Sequence, residues 1–290
     1  METARHNVSS RATFTKYELD NPFDERQFRY VAKGVYTNGP RCNQPCVCKW
    51  FKTGAVYEDT YFEKDLKAVD KAQEIIDAWN ALNISNTIHL NRPEVWVFDR
   101  DSRRPGQKTL TEPFINNYTK FNSNSGWACS TDGWCEVMQA MQVMQVMQVM
   151  QAMQVMQVMQ ALSHFSYHRS GGQLVLCDLQ GGMLSRGRGA VLTDPVIMSR
   201  SRSYGVTDLG PDGISTFFAR HSCSRYCQAH WTQPRNTAVH YQLSSCTTME
   251  MGTERHLNGG GGQRCCYGDA IYEDDEEDHY NSDTSDGRSW

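Results

Sequence analysis

Strand-like runs of β-branched and aromatic residues occupy three places between residues 17 and 111. Phe28-Arg-Tyr-Val-Ala-Lys, Cys46-Val-Cys-Lys-Trp-Phe and Val95-Trp-Val-Phe predict strands, and Asn38-Gly39-Pro40 supplies a turn between the first two. Between the second and third runs the spacing changes to that of an amphipathic helix over about 62–80, with Leu66, Val69, Ile75, Ile76 and Trp79 as its apolar positions. One helix against several strands is the composition of an α+β lobe. Glu112-Pro-Phe-Ile then reads as a connector, followed by the polar stretch Lys120-Phe-Asn122-Ser-Asn124-Ser-Gly126.

Residues 138–161 are eight triplets of Met-Gln-Val or Met-Gln-Ala. On a helix each triplet turns about 300°, so the Met row drifts by about −60° per step and no fixed apolar face results. The period is not the 3.5 of a coiled-coil partner, and Gln at every third position makes a poor membrane span. The plain expectation is an expanded repeat that lengthens a helix. Gln173-Leu-Val-Leu-Cys-Asp-Leu-Gln180 reads as one buried strand with polar groups at its end. Gly210-Pro211 is expected to break the chain before a short helix, Ile214 to Arg220, that runs into His221. Past residue 235 the pattern fades, and the glycines at 259–262 and the acids at 273–278 mark a flexible acidic tail over 236–290. The expected organisation is a flexible start over 1–16, an N-terminal lobe over 17–111, a C-terminal lobe over 112–235 that carries the repeat, and the tail.

A chain of 290 residues with 39% hydrophobic and 11% aromatic residues can build a core, as one two-lobed domain or two small ones. Formal net charge is −4, of which the run Glu273-Asp-Asp-Glu-Glu-Asp278 carries −6, so the remainder stands at +2. That is not the basic stripe of a nucleic-acid binder. The first residues lack the apolar centre of a signal peptide, and no uncharged apolar run reaches roughly 18 residues. The expectation is a soluble cytoplasmic protein without a membrane span. Eleven Cys, kept reduced there, point to metal binding and buried thiols rather than a disulfide framework.

The densest chemistry is His221-Ser-Cys223-Ser-Arg-Tyr-Cys227. Its i, i+2, i+6 spacing can set three ligands around one ion at a helix end, and zinc takes Cys sulfur and His nitrogen in a tetrahedron. The fourth ligand is assigned to His164 over His168 and His230; four protein ligands would make the zinc structural. The spacing alone also admits unconnected thiols and imidazoles. Asp178 and Gln180, two apart at a strand end, point the same way and offer a carboxylate and an amide oxygen to magnesium. Asp194, in Leu-Thr-Asp-Pro, is a loop carboxylate placed to orient or deprotonate a hydroxyl, though Thr-Asp-Pro is also an ordinary turn. Lys49 sits inside an apolar strand. Facing inward it would need an anion such as a nucleotide phosphate, but the pattern by itself favours an outward Lys on an edge strand. Glu112 reads by itself as a solvated loop acid.

Taken in order, these residues resemble the atypical alpha-kinase family, over about residues 17–231. The likeness is carried by Arg29 in Phe-Arg-Tyr, Lys49 in Val-Cys-Lys-Trp-Phe, Glu112 in Leu-Thr-Glu-Pro-Phe-Ile and the Lys-Phe-Asn-Ser-Asn-Ser-Gly stretch. It continues through His164 in Ser-His-Phe-Ser-Tyr, Asp178-Leu-Gln180-Gly, Leu-Thr-Asp194-Pro, Asp208-Leu-Gly-Pro-Asp-Gly-Ile and His221-x-Cys223-x-x-x-Cys227. His-Arg-Asp and Asp-Phe-Gly, the marks of ordinary protein kinases, are absent. The resemblance implies a two-lobed α+β kinase fold with ATP in the cleft and a structural zinc in the C-terminal lobe. It implies that Lys49 and Arg29 hold phosphates, Glu112 meets the adenine, Asp178 and Gln180 bind Mg2+, and Asp194 acts on a Ser or Thr hydroxyl of a protein substrate. His164, His221, Cys223 and Cys227 would hold the zinc. The alternative is a catalytically impaired zinc-stapled scaffold.

The chain departs from the family pattern in three places. Seven extra triplets enter at the repeat, about 31 Å of added helix with a net turn of about −60°, which is expected to draw His164 away from its partners unless the insert loops out. A second insertion surrounds 183–189, and Arg26 stands where many members carry Gly.

Overall fold

The structure, a computed structural model, describes residues 5–25, 29–128, 143–184 and 189–249. Arg26, residues 138–142 of the repeat, 185–188 of the second insertion, and the glycine and acidic runs of the tail lie outside the described residues. In chain order the elements begin with β1 (Arg5–His6), β2 (Ala12–Thr13), α1 (Lys16–Asp20), β3 (Asp24–Glu25), β4 (Arg29–Tyr36) and β5 (Pro45–Phe51). They continue with α2 (Glu63–Ala81), β6 (Ile88–Arg92), β7 (Glu94–Val97), β8 (Lys108–Pro113), β9 (Tyr118–Lys120) and α3 (Val143–Arg169). The last are β10 (Leu174–Cys177), β11 (Gln180–Met183), β12 (Ala190–Thr193), β13 (Val196–Ser199) and α4 (Gly210–Arg220).

The strands foreseen in the first third form one antiparallel sheet, in the order β2-β4-β5-β8-β7 with β3 also on β4. Strand β5 lies between β4 and β8, and Cys46 to Trp50 are all buried rather than alternating, so both faces of the strand are covered there. Leu19, Ala32, Cys48, Trp50 and Phe98 fill one side of this sheet. Central placement also overturns the expectation of an outward Lys49 on an edge strand: its side chain is 4% exposed.

A second sheet runs β1-β6-β12-β11-β9, with β1, β6 and β12 mutually parallel, and β10 pairs with β13 beside it. Helix α2 buries Ala68, Val69, Ala72, Ile75, Ile76 and Trp79, the helical spacing of the sequence. Fully burying side chains such as Val69, Ile75 and Ile76 is worth about 1.5–3 kcal/mol each. That face packs not on the first sheet but in the second core, with β6, β12, Met159, Leu162 and Phe165 of α3, and Trp231. The two cores therefore do not divide at a single point of the chain.

Three local readings change. The run 173–180 is not one strand: β10 ends at Cys177, Asp178 turns with φ 56°, and β11 starts at Gln180 in the other sheet. Gly210-Pro211 does not precede the helix but opens it, with Pro in the first turn, where its missing N–H needs no partner. Helix α3 reaches through the repeat to Arg169 as one helix, and the final triplets bury Met156, Val158, Met159 and Ala161 beside Leu162. Its C-terminal end is fixed by this packing, so extra length extends the other end. Tyr241, in the segment that follows α4, packs on the separate cluster that β10, β13 and α4 build, with Arg220 donating to the Tyr241 carbonyl at 2.9 Å. Among the described residues no helix is long and apolar enough to cross a membrane.

Candidate functional site

The chain crosses between the two β-pairs twice at neighbouring points. Strand β10 passes to β11 through Asp178, and β12 passes to β13 through Asp194; β10 pairs with β13, and β11 with β12. Both acids sit in the left-handed region, at φ 56° and 48°, a conformation that Asp tolerates better than most residues. The double crossing brings their carboxylates to one place. Gln180 Nε2 donates to Asp178 Oδ2 at 3.2 Å and lies 3.4 Å from the Asp194 carbonyl. The convergence expected of Asp178 and Gln180 is present, but a left-handed turn makes it, not strand alternation. The next residue must be glycine: at Gly181 a Cβ would stand 1.9 Å from the Val191 carbonyl oxygen.

Lys49 reaches this place from the first sheet. Its Nζ lies 2.6 Å from Glu112 Oε1 and 2.7 Å from Asp194 Oδ2, and donates to Thr193 Oγ1 at 3.3 Å. The Thr193 hydroxyl in turn donates to the Glu112 carboxylate at 2.7 Å. Glu112 is 2% exposed; burial pushes its carboxyl above the usual range, with Lys49 pulling the other way. So Glu112 is not a solvated loop acid: its carboxylate pairs with Lys49. Register places Arg29 opposite Phe51 and Val31 opposite Lys49, so Arg29 and Lys49 share a sheet face. Arg29 is held there by Asp65 of α2 at 2.5 Å, its guanidinium 4.8 Å from the Phe51 ring centre.

Sequence reasoning gave no role to Lys120 or Asn122. Lys120 stands opposite Gln180 in the β9–β11 register, and its Nζ pairs with Asp178 Oδ1 at 2.8 Å. Asn122, fully buried, accepts from the Leu179 backbone N–H at 2.9 Å and donates to Ser163 Oγ at 3.0 Å, so it fastens the Asp178 turn to α3. The polar run 120–126 was the available signal.

One residue beyond Ser163 is His164, and the continuous α3 does not draw it away. His164 Nδ1 lies 3.6 Å from Cys223 Sγ, and His221 Nε2 is 3.7 Å from both Cys223 Sγ and Cys227 Sγ. The four donor atoms all lie within 4.8 Å of one another. A tetrahedral zinc with Zn–N of about 2.0–2.1 Å and Zn–S of about 2.3 Å separates N and S ligands by about 3.6 Å, so the donor set and its spacing fit zinc. The His164 Nε2 donates to the Thr232 carbonyl at 3.2 Å, which turns Nδ1 toward the thiols. Burial lowers the His164 imidazole, lowers that of His221 to about 4, and raises the Cys227 thiol to about 11. His168 and His230 instead face each other at 5.4 Å, outside the group. Helix α4 ends at His221 in extended backbone, and that turn delivers the two cysteines.

With this geometry established, comparison with known proteins is direct. The model of the Alpha-kinase family matches residues 24–227, and the chain belongs to that family. Eukaryotic elongation factor 2 kinase of Mus musculus is 31% identical over 163 residues, covering 52% of this chain and 19% of that protein. Alpha-protein kinase 1 of Dictyostelium discoideum is 29% identical over 210 residues, 71% of this chain and 13% of the relative. The chain thus spans less than a fifth of the length of these curated relatives. The crystal structure of the alpha-kinase domain of myosin heavy chain kinase A in complex with AMP superposes with a TM-score of 0.56 at 19% identity, covering 74% of this chain and 88% of that one. An alpha kinase from Entamoeba histolytica superposes at 0.55 with 20% identity, over 79% and 82%. At such identities these superpositions show the fold.

Proposed function

We propose that this alpha-kinase transfers the γ-phosphate of ATP to a Ser or Thr hydroxyl of a protein substrate. Lys49 and Arg29, on one face of the first sheet, hold the phosphates, and Glu112 positions the Lys49 ammonium. Asp178 and Gln180 are the magnesium ligands. The Asp178 carboxylate and the Gln180 amide oxygen are hard oxygen donors of the kind this ion takes. When bound, the ion neutralises charge on the phosphates. Asp194 orients the acceptor hydroxyl and takes its proton, and it is 20% exposed, open enough to meet a substrate. His164, His221, Cys223 and Cys227 hold a zinc with every position filled by protein, so that ion is a staple and takes no part in transfer.

The observation that carries this reading is the unbroken polar chain from Glu112 through Lys49, Asp194 and Gln180 to Asp178, which joins the two sheets at one point. With radiolabelled ATP and a generic basic protein, the wild type transfers phosphate and Asp194→Ala does not, while zinc stays near one per chain. Transfer at the wild-type rate by Asp194→Ala would refute the role of Asp194. No transfer by the wild type, with nucleotide still raising its melting temperature, would make the chain a binding scaffold.

A further inference from the structure

Four consecutive polar residues, Asn122, Ser123, Asn124 and Ser125, are all fully buried. What covers the last three is the segment 244–248 of the same chain. Ser123 and Ser125 donate to the Ser244 carbonyl at 2.6 and 2.9 Å, and Ser125 Oγ accepts from the Ser244 N–H at 3.0 Å. Asn124 donates to the Thr248 carbonyl at 2.7 Å and accepts from the Thr248 N–H at 2.8 Å. These contacts read main chain, not side chains, at both ends of a five-residue stretch. Between them Thr247 points inward: its hydroxyl donates to Asp178 Oδ2 at 2.8 Å, and Lys120 Nζ donates to it at 3.3 Å.

We infer that Ser123, Asn124 and Ser125 form a subsite for the main chain of an extended peptide carrying Thr or Ser, and that residues 244–248 fill it as a built-in competitor. The inference rests on the proposed kinase reading for the identity of the site, but the contacts are the chain's own. A loop that pairs with backbone N–H and C=O groups accepts any extended peptide, and the one side chain it brings into the site is a hydroxyl. Because Thr247 caps the carboxylate assigned to magnesium, the segment must shift for metal-bound nucleotide to take Asp178. Lifting it opens the serines and Asn124 to water rather than leaving them dry, so the exchange is reversible.

Cys246 lies inside the segment, half-buried, and Cys42 in the β4–β5 connection is exposed, so the pair gives a signal and a reference. The test is the rate of iodoacetamide alkylation at each thiol in the zinc-loaded full chain, read by peptide mass mapping. Thr247→Val removes a hydrogen bond to a carboxylate, and Cys246 should then react about tenfold faster with Cys42 unchanged. Thr247→Ser keeps the hydroxyl and should keep the protection. Magnesium with a non-hydrolysable ATP analogue should accelerate Cys246 in the wild type. In the transfer assay Thr247→Val should lower KM for the protein substrate and leave kcat unchanged. Equal Cys246 rates in the wild type and both variants would overturn the inference. A faster Thr247→Val with no response to nucleotide that binds would overturn the competition at Asp178. If nucleotide fails to bind at all, the kinase reading falls, and the two variants still decide the segment's role.

Discussion

Lys49 and Glu112 form an ion pair at 2.6 Å with side chains 4% and 2% exposed, and that burial sets what happens when either is removed. Replacing Lys49 with Met leaves two carboxylates. Asp194 can hydrate, but Glu112 cannot, and breaking one side of a buried pair typically costs about 3–5 kcal/mol. Glu112→Gln is milder: Lys49 keeps Asp194, and Thr193 can still donate to the amide oxygen, so about 1–2 kcal/mol is expected. In the double variant neither charge remains, and its destabilisation should fall below that of Lys49→Met alone. The coupling in a double-mutant cycle is then about 2–3 kcal/mol, readable by urea denaturation of the zinc-loaded chain. The pH dependence has a definite sign. Burial already raises the Glu112 carboxyl, and without Lys49 it rises further. A carboxyl with a raised folded value stabilises the fold below its unfolded value, about 4.3, and that stability is lost as pH climbs to the folded value. The deficit of Lys49→Met against wild type should therefore widen as pH climbs past the folded value of Glu112 in the wild type, by about 1.4 kcal/mol for each unit of the further rise. Additive single variants, or a deficit that does not change with pH, would refute the claim that this pair is buried and mutually dependent.

The remaining expectations are narrower. Removing 141–152, four whole triplets, leaves every described buried residue of α3 in place, so stability should change by less than about 1 kcal/mol and zinc content not at all. Removing 141–161 instead puts Val137, Met138 and Ala140 where Val158, Met159 and Ala161 lie, but sets Cys135 at Met156; a melting shift matching a loss of about 1–3 kcal/mol is expected, and loss of zinc would contradict the packing described. Chelation, or Cys227→Ser, should release one zinc per chain and lower the melting temperature of the second core; an unchanged melt would show that the four ligands bind no structural ion. Asn122→Ala should free the Asp178 turn, lowering stability by about 2 kcal/mol and transfer rate with it; full activity would exclude a positioning role.

The readable parts of the sequence were those governed by local periodicity. Strands β4 and β5 followed from aromatic and β-branched runs, and α2 from the positions of Val69, Ile75, Ile76 and Trp79, though Leu66 at the start of that pattern is only half-buried. Which core α2 serves was not in the pattern, because an amphipathic face does not name its partner. Lys49 misled for a related reason: period-two reasoning assumes one wet face, and β5 has none over Cys46 to Trp50. The cluster of His164, His221, Cys223 and Cys227 was legible from short spacing at one end and from family likeness at the other. The hold of 123–125 on 244–248 joins segments about 120 residues apart, with no charge or periodicity to announce it.

Fold and proposed chemistry meet in the two crossings between β-pairs. A strand that continued straight from 174 to 180 would turn alternate side chains to opposite faces and keep Asp178 in one sheet with Cys177. The left-handed turn at Asp178 instead shifts the chain to the second sheet within two residues, and the matching turn at Asp194 does the same on the neighbouring strand. Non-glycine residues hold such backbone only where surrounding contacts over-determine it, at a strain of order 1–3 kcal/mol each. Here those contacts can be named: Asn122 on the Leu179 N–H, Phe121 on the Leu179 carbonyl, and Lys49 on Asp194. Asn122 is anchored in turn to Ser163, the residue before His164, so the turn that carries Asp178 is tied to the helix that carries a proposed zinc ligand. Loss of the proposed zinc would therefore reach Asp178 through two side chains, without any need for the ion to approach that carboxylate.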